Sequence, residues 1–452
     1  MHITYIRPNF SDMRSTDAMQ PLAFAILYGL TPPDVEILFM DERLAPINFN
    51  IQTDLVAISV ESFTAARSYQ IAGKFRQRGI PVVVGGYHPT FLPDEALRFA
   101  DAVVIGDAED VWPQVIEDAR LKQLKKIYTN DSQGCLDGIK YDRGIFKGKK
   151  YARITPVQFS RGCRFACDFC SIHAFYGRNL RQRPVKEVLA EIEALDTDLI
   201  FFVDDNLLGN EERTRELLEG LVSLNVRWSC QVSIDVAKNT ELVELMAKSG
   251  CIVALIGFES LDTQNLIQMK KKWNIKDGDY ATAIKKFYDN GIMIYGTFVF
   301  GYDNDTVNSF DPALEFALQQ KLFIANFNPL MPTPGSKLYD RLKKEGRLLY
   351  DNWWLDPEFK YGKTIFQPKR MTPEQLEEGV FRLKRSFYQY SSIFSRALNF
   401  QSNSRNLFNL AIFLQANLVS RREILRKQGT NLGDFNSEII KTDSHAYHLH
   451  QT

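Results

Sequence analysis

Residues 155–170 read Thr155-Pro156-Val157-Gln158-Phe159-Ser160-Arg161-Gly162-Cys163-Arg164-Phe165-Ala166-Cys167-Asp168-Phe169-Cys170. The run begins as a strand and continues into three cysteines with the spacing CxxxCxxC. Three thiolates this close together can hold three corners of a cubane iron–sulfur cluster, whereas a structural or electron-transfer cluster normally has four protein ligands. We therefore predict a [4Fe–4S] cluster on Cys163, Cys167 and Cys170, with one iron open to a substrate or cofactor.

Zinc and disulfides are the alternatives for three close cysteines. Zinc ligands usually come as two spaced pairs, and no second CxxC or HxxxH pair occurs in the globular part of this chain. Six cysteines in 452 residues are far fewer than a disulfide scaffold uses, and no signal peptide is recognisable, so we expect a reducing, cytoplasmic location. Cys135, Cys230 and Cys251 are scattered and are predicted to be small buried apolar residues.

The cysteine motif resembles that of the radical SAM superfamily. The resemblance implies that the open iron binds S-adenosylmethionine and passes one electron to it, which yields a 5'-deoxyadenosyl radical that abstracts hydrogen from unactivated carbon. Phe169 occupies the aromatic position that lies beside the adenine in that family, although simple core packing explains this residue equally well.

The charge composition indicates a small-molecule partner. Lys plus Arg and Asp plus Glu are 55 each, so no overall field attracts nucleic acid or anionic lipid. No apolar run reaches the roughly 18 residues of a transmembrane helix. Leu407 to Val419 is the densest late stretch, and we interpret it first as a packed helix and second as a membrane-surface element.

Residues 1–125 alternate between short β-branched runs and helical patterns. The predicted strands are 3–6, 35–40, 55–60, 82–84 and 102–105, and the clearest predicted helices are 65–77 and 112–119. This alternation is typical of a doubly wound parallel α/β sheet, in which ligands bind beyond the carboxyl ends of the strands. The residues predicted at that edge are Ser59, Ser62, Gly85, Gly86, His88, Thr90 and Gly106.

A glycine-rich turn alone would suit a phosphate or nucleotide equally well. The combination of GGYHPTFLPDEAL with a later GDAEDVW, however, is similar to the flavodoxin-like cobalamin-binding domain that precedes many radical SAM cores. The DxHxxG loop of the wider cobalamin-binding family is absent, because Gly86 and Phe91 stand at the Asp and Gly positions around His88. His88 is expected either to contact the corrin or to hydrogen-bond within its own loop.

The chain is predicted to continue as a linker over residues 126–152 and a second α/β domain over residues 153–345. Strands are predicted at 155–160, 199–203, 227–232, 252–257, 292–300 and 322–328, with helices near 185–195, 210–224, 239–248, 280–289 and 308–320. Six βα units suffice for a partial (βα)6 barrel of the TIM type, whose active sites lie at the strand carboxyl ends. The cysteine loop follows the first of these strands.

Polar residues follow the next three strands of the predicted barrel. The resemblance implies that Asp204 and Asp205 contact the amino group of S-adenosylmethionine, that Ser233 contacts its ribose, and that Glu259 lies near its adenine and ribose. Each of these residues is also an ordinary helix-capping type at a strand-to-helix turn. The cofactor role is therefore inferred from their occurrence at consecutive strand ends.

Residues 346–452 are predicted to form a helical C-terminal region that ends in an unstructured tail with His445, His448 and His450. Before it, Thr333-Pro334-Gly335-Ser336 leads into Leu338-Tyr339 and resembles the barrel exit of the cobalamin-dependent radical SAM group, with Ser336 in place of the usual Thr.

The resemblance over residues 1–345 implies a cobalamin-dependent radical SAM enzyme that transfers methyl to an unactivated carbon of a small molecule. Its cofactors would be a [4Fe–4S] cluster, S-adenosylmethionine and cobalamin, and an external flavodoxin or ferredoxin would supply electrons. Rearrangement or cyclisation without methylation is an alternative. A non-catalytic corrin or cluster sensor is another, and it would require a fourth cysteine, such as Cys230 or Cys251, beside the triplet.

Overall fold

The computed structural model describes residues 1–11, 14–15, 17–130, 134–274 and 280–433. Part of the predicted linker, Asp131-Ser132-Gln133, and the tail with His445, His448 and His450 lie outside the described residues. The chain divides into two compact units. Of the described residues, unit 1 comprises Met1–Arg153, Asp351–Tyr361 and Thr430–Gly433, and unit 2 comprises Ile154–Tyr350 and Gly362–Gly429.

Unit 1 is a six-stranded parallel sheet with helices, as predicted for a doubly wound fold. The strand order is β2-β1-β3-β4-β5-β6. The strands are β1 (His2–Arg7), β2 (Glu36–Asp41), β3 (Leu55–Ser59), β4 (Val82–Gly85), β5 (Ala102–Ile105) and β6 (Ile127–Thr129). The helices are α1 (Leu22–Leu30), α2 (Ala65–Gln77), α3 (Tyr87–Phe91), α4 (Pro93–Phe99) and α5 (Trp112–Arg120), with short 3-10 helices at Ser62–Thr64 and Arg143–Phe146.

The predicted linker is part of unit 1. Phe146 is 4% exposed and packs in the same core cluster as Phe24, Phe39 and Trp112, and β6 pairs with β5. In the sequence, Phe146 is followed directly by the basic run Lys147-Gly148-Lys149-Lys150. This composition favoured a linker and gave no indication that Phe146 is buried. Residues 126–152 therefore complete the first sheet and its core and do not form a separate connection.

Unit 2 contains the second six-stranded parallel sheet, in the order β14-β13-β12-β11-β10-β7. Its strands are β7 (Thr155–Val157), β10 (Leu199–Phe202), β11 (Arg227–Val232), β12 (Cys251–Glu259), β13 (Met293–Phe300) and β14 (Ile324–Pro329). Two-residue strands β8 (Ser160–Arg161) and β9 (Arg181–Gln182) form a separate antiparallel pair. All six predicted strands are present, in the order that a partial barrel requires.

Helices follow the strands of unit 2 and continue into a C-terminal set. They are α6 (Ser171–Tyr176), α7 (Val185–Glu193), α8 (Glu211–Leu224), α9 (Thr240–Lys248), α10 (Thr263–Gln268), α11 (Tyr280–Asp289), α12 (Phe310–Gln319), α13 (Lys337–Lys344), α14 (Pro373–Phe387), α15 (Tyr390–Ala397) and α16 (Leu407–Lys427). Short 3-10 helices lie at Ile234–Lys238, Lys272–Asn274 and Val307–Ser309. In the described residues, no helix combines the length and the apolar character needed to cross a membrane.

The predicted C-terminal region is divided between the two units. Residues 362–429 pack in unit 2, where Phe413 and Ile393 join Met293 and Phe323 in one core cluster. Residues 351–361 belong to unit 1, where Trp353 contacts Phe63 with ring centroids 4.9 Å apart. The region from residue 346 onward is therefore not an independent domain.

Candidate active site

The cysteine loop lies at the carboxyl edge of the second sheet. After β7 the chain leaves the sheet and forms the β8–β9 pair. Gly162 follows β8 with φ +89°, and a Cβ at this position would overlap the carbonyl oxygen of Asn179. Only glycine accepts both constraints without strain. Gly162 therefore allows the tight turn that brings the cysteines to this edge.

All three cysteines are free and partly exposed. Burial raises the pKa of each thiol, to about 12 for Cys167, for which Lys271 acts in the opposite direction. In the described residues, no three His, Cys, Asp or Glu side chains are placed to ligate a single metal ion. A cubane has a separate iron for each thiolate, so this arrangement fits a cluster, and metal binding would deprotonate the thiols.

Asp204 and Asp205 brace the cysteine loop. Both oxygens of Asp204 accept hydrogen bonds, Oδ2 from the Phe159 amide at 3.1 Å and Oδ1 from the Ser160 hydroxyl at 2.5 Å. Asp205 Oδ2 accepts from the Gly162 amide at 3.0 Å. Burial raises the pKa of Asp204 to about 7 and that of Asp205 to about 6. Asp204 is 2% exposed. Its position therefore favours a role in holding the backbone of the loop over direct contact with a cofactor.

Asn206 has an unsatisfied buried acceptor beside the cysteines. It hydrogen-bonds to Cys163, and its Nδ2 donates to Ser233 Oγ at 3.4 Å. Its Oδ1 is buried and has no hydrogen-bond partner within the described part of the protein. Such an orphan acceptor indicates a missing donor, and the ammonium or a hydroxyl of S-adenosylmethionine fits it chemically.

Ser233 follows β11, and its hydroxyl donates to Asp235. Asp235 also accepts from Arg164 of the cysteine loop, at 2.8 Å. Asp235 therefore connects Ser233, which was predicted to contact the ribose, to the cysteine loop through hydrogen bonds.

Glu259 ends β12 in an unusual backbone conformation, with φ +63° and a break in the register with β13. Its carboxylate pairs with Lys271 at 2.7 Å, and the same ammonium donates to the Gly257 carbonyl at 2.8 Å. Asn274 also donates to the Gly257 carbonyl, at 3.1 Å. Lys271 was not identified in the sequence, because nothing distinguishes it within Lys270-Lys271-Lys272.

Aromatic residues flank the cysteine loop on two sides. Phe169 meets Tyr302 edge to face at 6.4 Å, and the Tyr302 hydroxyl donates to Asp168 at 2.7 Å. Phe165 stacks on Trp273 with centroids 3.8 Å apart. Phe169 therefore has a packing partner of its own, and its predicted adenine contact stays a prediction.

The predicted residues of unit 1 also meet at one edge of their sheet. Ser59 and Gly85 are register partners at the ends of β3 and β4. The Thr90 hydroxyl donates to the Gly86 carbonyl at 2.8 Å and accepts from the Gly106 amide at 3.0 Å. Gly86 has φ +110°, and a Cβ there would lie 2.7 Å from the Val60 carbonyl oxygen. The Val60 backbone therefore fills the space beside Gly86, whereas an added Cβ at Gly106 would meet no described atom within 4 Å, so a ligand can approach the backbone of this glycine-lined edge at Gly106.

His88 lies inside unit 1 and not on its surface. It is 1% exposed, its Nδ1 lies 3.2 Å from Ser62 Oγ, and its Nε2 lies 3.0 Å from Glu95 Oε1. Glu95 also accepts from Tyr69 at 3.0 Å and from Trp354 Nε1 at 3.0 Å. This burial argues against direct corrin contact by His88. No local pattern in the sequence indicates the contact of Trp354 with Glu95, because the two residues are 259 positions apart.

Cys230 and Cys251 of unit 2 supply no fourth cluster ligand. Cys251 is the first residue of β12, at the opposite end of the sheet from the cysteine loop. Cys230 is fully buried and hydrogen-bonds with Cys251. Both were correctly predicted to be buried, but Cys135 is exposed, so that prediction was wrong. Neither Cys230 nor Cys251 therefore provides the fourth ligand on which the sensor alternative was based.

Comparison with known proteins agrees with this geometry. The sequence profile of the radical SAM superfamily matches residues 157–317. Bacteriochlorophyllide d C-12(1)-methyltransferase of Chlorobaculum tepidum is 30% identical over 390 residues, 83% of this chain and 84% of the relative. Bacteriochlorophyllide d C-8(2)-methyltransferase of the same organism is 28% identical over 414 residues, 86% of this chain and 89% of the relative.

The fold is also that of a solved methyltransferase. The radical S-adenosylmethionine methyltransferase TsrM from Kitasatospora setae, with cobalamin and a [4Fe-4S] cluster bound, matches with a TM-score of 0.62 at 14% identity, covering 94% of this chain and 98% of that chain. At this identity the likeness concerns the fold alone. Together with the relatives of higher identity, it shows that this chain belongs to the cobalamin-dependent radical SAM methyltransferase family.

Proposed function

We propose that this chain transfers a methyl group to an unactivated carbon of a small molecule, with the cluster on the cysteine loop of unit 2 and cobalamin at the glycine-lined edge of unit 1. The observation that carries the proposal is the orphan Oδ1 of Asn206, which lies beside the free thiol of Cys163. A loop of three free cysteines next to an unsatisfied acceptor suits a cluster with a polar cofactor bound at its open iron.

When bound, the cluster and S-adenosylmethionine supply the hydrogen-abstracting radical, and cobalamin supplies the methyl group. The chain's own residues position these groups. Asp204 holds the backbone at Phe159 and Ser160, and Asp205 holds Gly162. Asn206, Ser233 and Glu259 offer polar atoms at the neighbouring strand ends. In this proposal they bind S-adenosylmethionine, whereas Asp204 and Asp205 position the loop.

The substrate class is proposed from the relatives. Two of them act on bacteriochlorophyllide d, so a chlorophyllide-type tetrapyrrole is the first substrate to assay. An external one-electron donor of the flavodoxin or ferredoxin type and a reducing, cytoplasmic compartment complete the proposal, because a partly exposed cluster has to be kept reduced and protected from oxidation.

The test is anaerobic turnover with S-adenosylmethionine labelled in its methyl group. We expect the label in the product when cobalamin, reductant and bacteriochlorophyllide are present, and no turnover in Cys170→Ala. Cys135→Ala, which removes an exposed cysteine outside the motif, is the matched control. Product formed without label would support cyclisation or rearrangement instead. Reduced protein that binds its cofactors but never cleaves S-adenosylmethionine would support a sensor.

A further inference from the structure

The last two helices of unit 2 are inverted, with polar residues inside and apolar residues outside. The buried residues of α15 are Ser392, Ile393 and Arg396, and those of α16 are Asn409, Phe413, Asn417 and Glu423. Among the described residues, sixteen large apolar side chains are exposed, and eight of them lie between residues 390 and 425. These eight are Tyr390, Phe394, Leu398, Phe400, Leu407, Leu414, Leu418 and Leu425.

Buried hydrogen bonds fix the orientation of both helices. Arg396 is fully buried and donates to the carbonyls of Leu322, Phe323 and Phe387 at 3.0 Å and to Asn417 Oδ1 at 2.8 Å. Asn417 donates in turn to the Phe323 carbonyl at 3.0 Å. A rotation of either helix that hid its leucines would break these bonds inside the protein, where unmade hydrogen bonds are costly. The apolar outer face is therefore a fixed property of unit 2.

The exposed residues form one surface. On α16, Leu407, Leu414, Leu418 and Leu425 are spaced by seven, four and seven residues, which places them on one side of a helix about 30 Å long. The two helices lie side by side, because Arg396 bonds Asn417 and the Arg421 guanidinium covers the Tyr390 ring at 4.5 Å. Exposed apolar surface of this extent marks an interaction site.

The same surface is basic, although the whole chain has no net charge. From Pro373, the first residue of α14, to Thr430 the chain contains nine Lys and Arg, of which Arg396 is fully buried, and four Glu. Glu423 is buried and pairs with Arg426 at 2.9 Å and with Lys427 at 3.3 Å. A groove of about 580 Å3 between α14 and α16 is lined by four cations, Arg382, Lys384, Arg385 and Arg421, and by one acid, Glu378.

We propose that the α14–α16 surface docks on an anionic lipid membrane, with α16 lying in the plane of the bilayer surface. The exposed leucines and aromatics would enter the boundary between headgroups and acyl chains, and the arginines would contact lipid phosphates, as amphipathic interfacial helices do. A second copy of the chain is a poor occupant, because two surfaces with the same excess of positive charge repel each other. The inference concerns attachment and does not depend on the proposed reaction.

The test measures binding of the full chain, reconstituted anaerobically with its cluster, to sedimenting lipid vesicles. We expect binding to vesicles of equal parts phosphatidylglycerol and phosphatidylcholine, little binding to phosphatidylcholine alone, and release at high salt. Replacing Arg385 and Arg422 by Gln should lower the partition coefficient about fivefold per charge. Replacing Phe394, Leu414 and Leu418 by Ser should lower it by at least about tenfold.

Matched controls lie on other surfaces. Lys186→Gln removes an exposed charge from α7, and Leu121→Ser removes a leucine that is 57% exposed in unit 1. Neither should change the partition, and S-adenosylmethionine cleavage should be retained in all variants, which shows that they fold. Three results would overturn the proposal: equal binding to neutral vesicles, equal losses in the control variants, or a dimer that the leucine variants dissociate.

Discussion

Gly162 decides whether the three cysteines can approach one cluster. Its φ of +89° and the nearby Asn179 carbonyl leave no room for a side chain. We expect Gly162→Ala to lower the iron content from about four atoms per chain to less than half of that, although every cysteine is retained. Iron and sulfide analysis after anaerobic reconstitution measures this.

Gly177 provides the matched control for that variant. It also has a positive φ, +66°, but nothing lies within 4 Å of the position of an added Cβ. Gly177→Ala therefore carries backbone strain of about 1–3 kcal/mol without the overlap, and its iron content should stay near that of the unchanged chain. Equal iron loss in both variants would show that strain, and not the Asn179 contact, controls the loop.

Trp353 and Trp354 differ in one hydrogen bond. Trp354 Nε1 donates to Glu95, whereas Trp353 Nε1 is buried without a partner in the described residues. We expect Trp354→Phe to lower the free energy of unfolding by about 1–2 kcal/mol more than Trp353→Phe does, because Glu95 loses a donor. Urea unfolding measures the difference, and equal losses would contradict the assigned role of the Glu95 bond.

Candidate residues could be predicted from the sequence where the chemistry is local. The cysteine triplet and the polar residues after each strand end could be identified because parallel strands bring their carboxyl ends to one edge. Asn206 directly follows Asp204 and Asp205 in the sequence, but its orphan acceptor depends on three-dimensional packing. Lys271 and Trp354 act through partners distant in sequence, which no local pattern reveals.

At the scale of elements, Asp303 joins several segments of unit 2. It accepts hydrogen bonds from Gln268, the last residue of α10, from Arg341 of α13 and from Arg347, and it pairs with Lys369 at 2.9 Å. Burial acts to raise the pKa of Asp303, but these donors outweigh it and hold the pKa well below its usual range. The ionised carboxylate therefore stabilises the folded state.

The sign of the pH dependence follows from that lowered pKa. The stabilisation is present above the unfolded pKa of about 4 and is lost as pH falls toward the lower native value. We expect Asp303→Asn to cost about 3 kcal/mol at neutral pH and progressively less in acid, as measured by urea unfolding across pH. Asp311→Asn, which breaks an exposed pair with Arg382, should cost at most about 1 kcal/mol. A cost of Asp303→Asn that does not change with pH would contradict this assignment.

Element prediction was limited by short or uniform segments. The long strands of both sheets and helices such as α2 and α11 were predicted closely, since their apolar periodicity is clear. The two-residue strands β8 and β9 are too short to show alternation. In α1 nearly every residue is apolar, so periodicity gives no signal, and α3 and α4 begin inside what was predicted to be a ligand-binding loop.

At the scale of the whole molecule, unit 1 is built from separate parts of the chain. In a chain that ends at residue 345, Trp353 and Trp354 are missing from the unit 1 core. We expect the amide-exchange protection factors around α4 to be lower by at least about a hundredfold in that chain. A chain that ends at Gly433, which keeps every segment described in unit 1, should retain that protection. Equal protection in the two shortened chains would mean that residues 351–361 do not stabilise unit 1.

Domain boundaries were the least predictable feature. The resemblance located the two sheets, but composition placed a linker at 126–152 and a separate region after 345. Both assignments failed because membership of a unit depends on which core a few apolar residues enter, as Phe146 and Trp353 show. The unit that such a residue joins is determined by contacts with residues distant in sequence, and these contacts produce no periodic pattern in the sequence.

The division of unit 1 between distant segments also has a consequence during synthesis. Trp354 leaves the ribosome roughly 200 residues after the end of the first segment, a delay of roughly 10–40 s at ordinary elongation rates. During this interval Glu95 and His88 of the nascent first sheet lack their contacts with Trp354. The ring of Phe63 likewise lacks its contact with Trp353. We expect the growing chain to need chaperone protection in that interval, and unit 1 to close only after residues 351–361 have emerged from the ribosome.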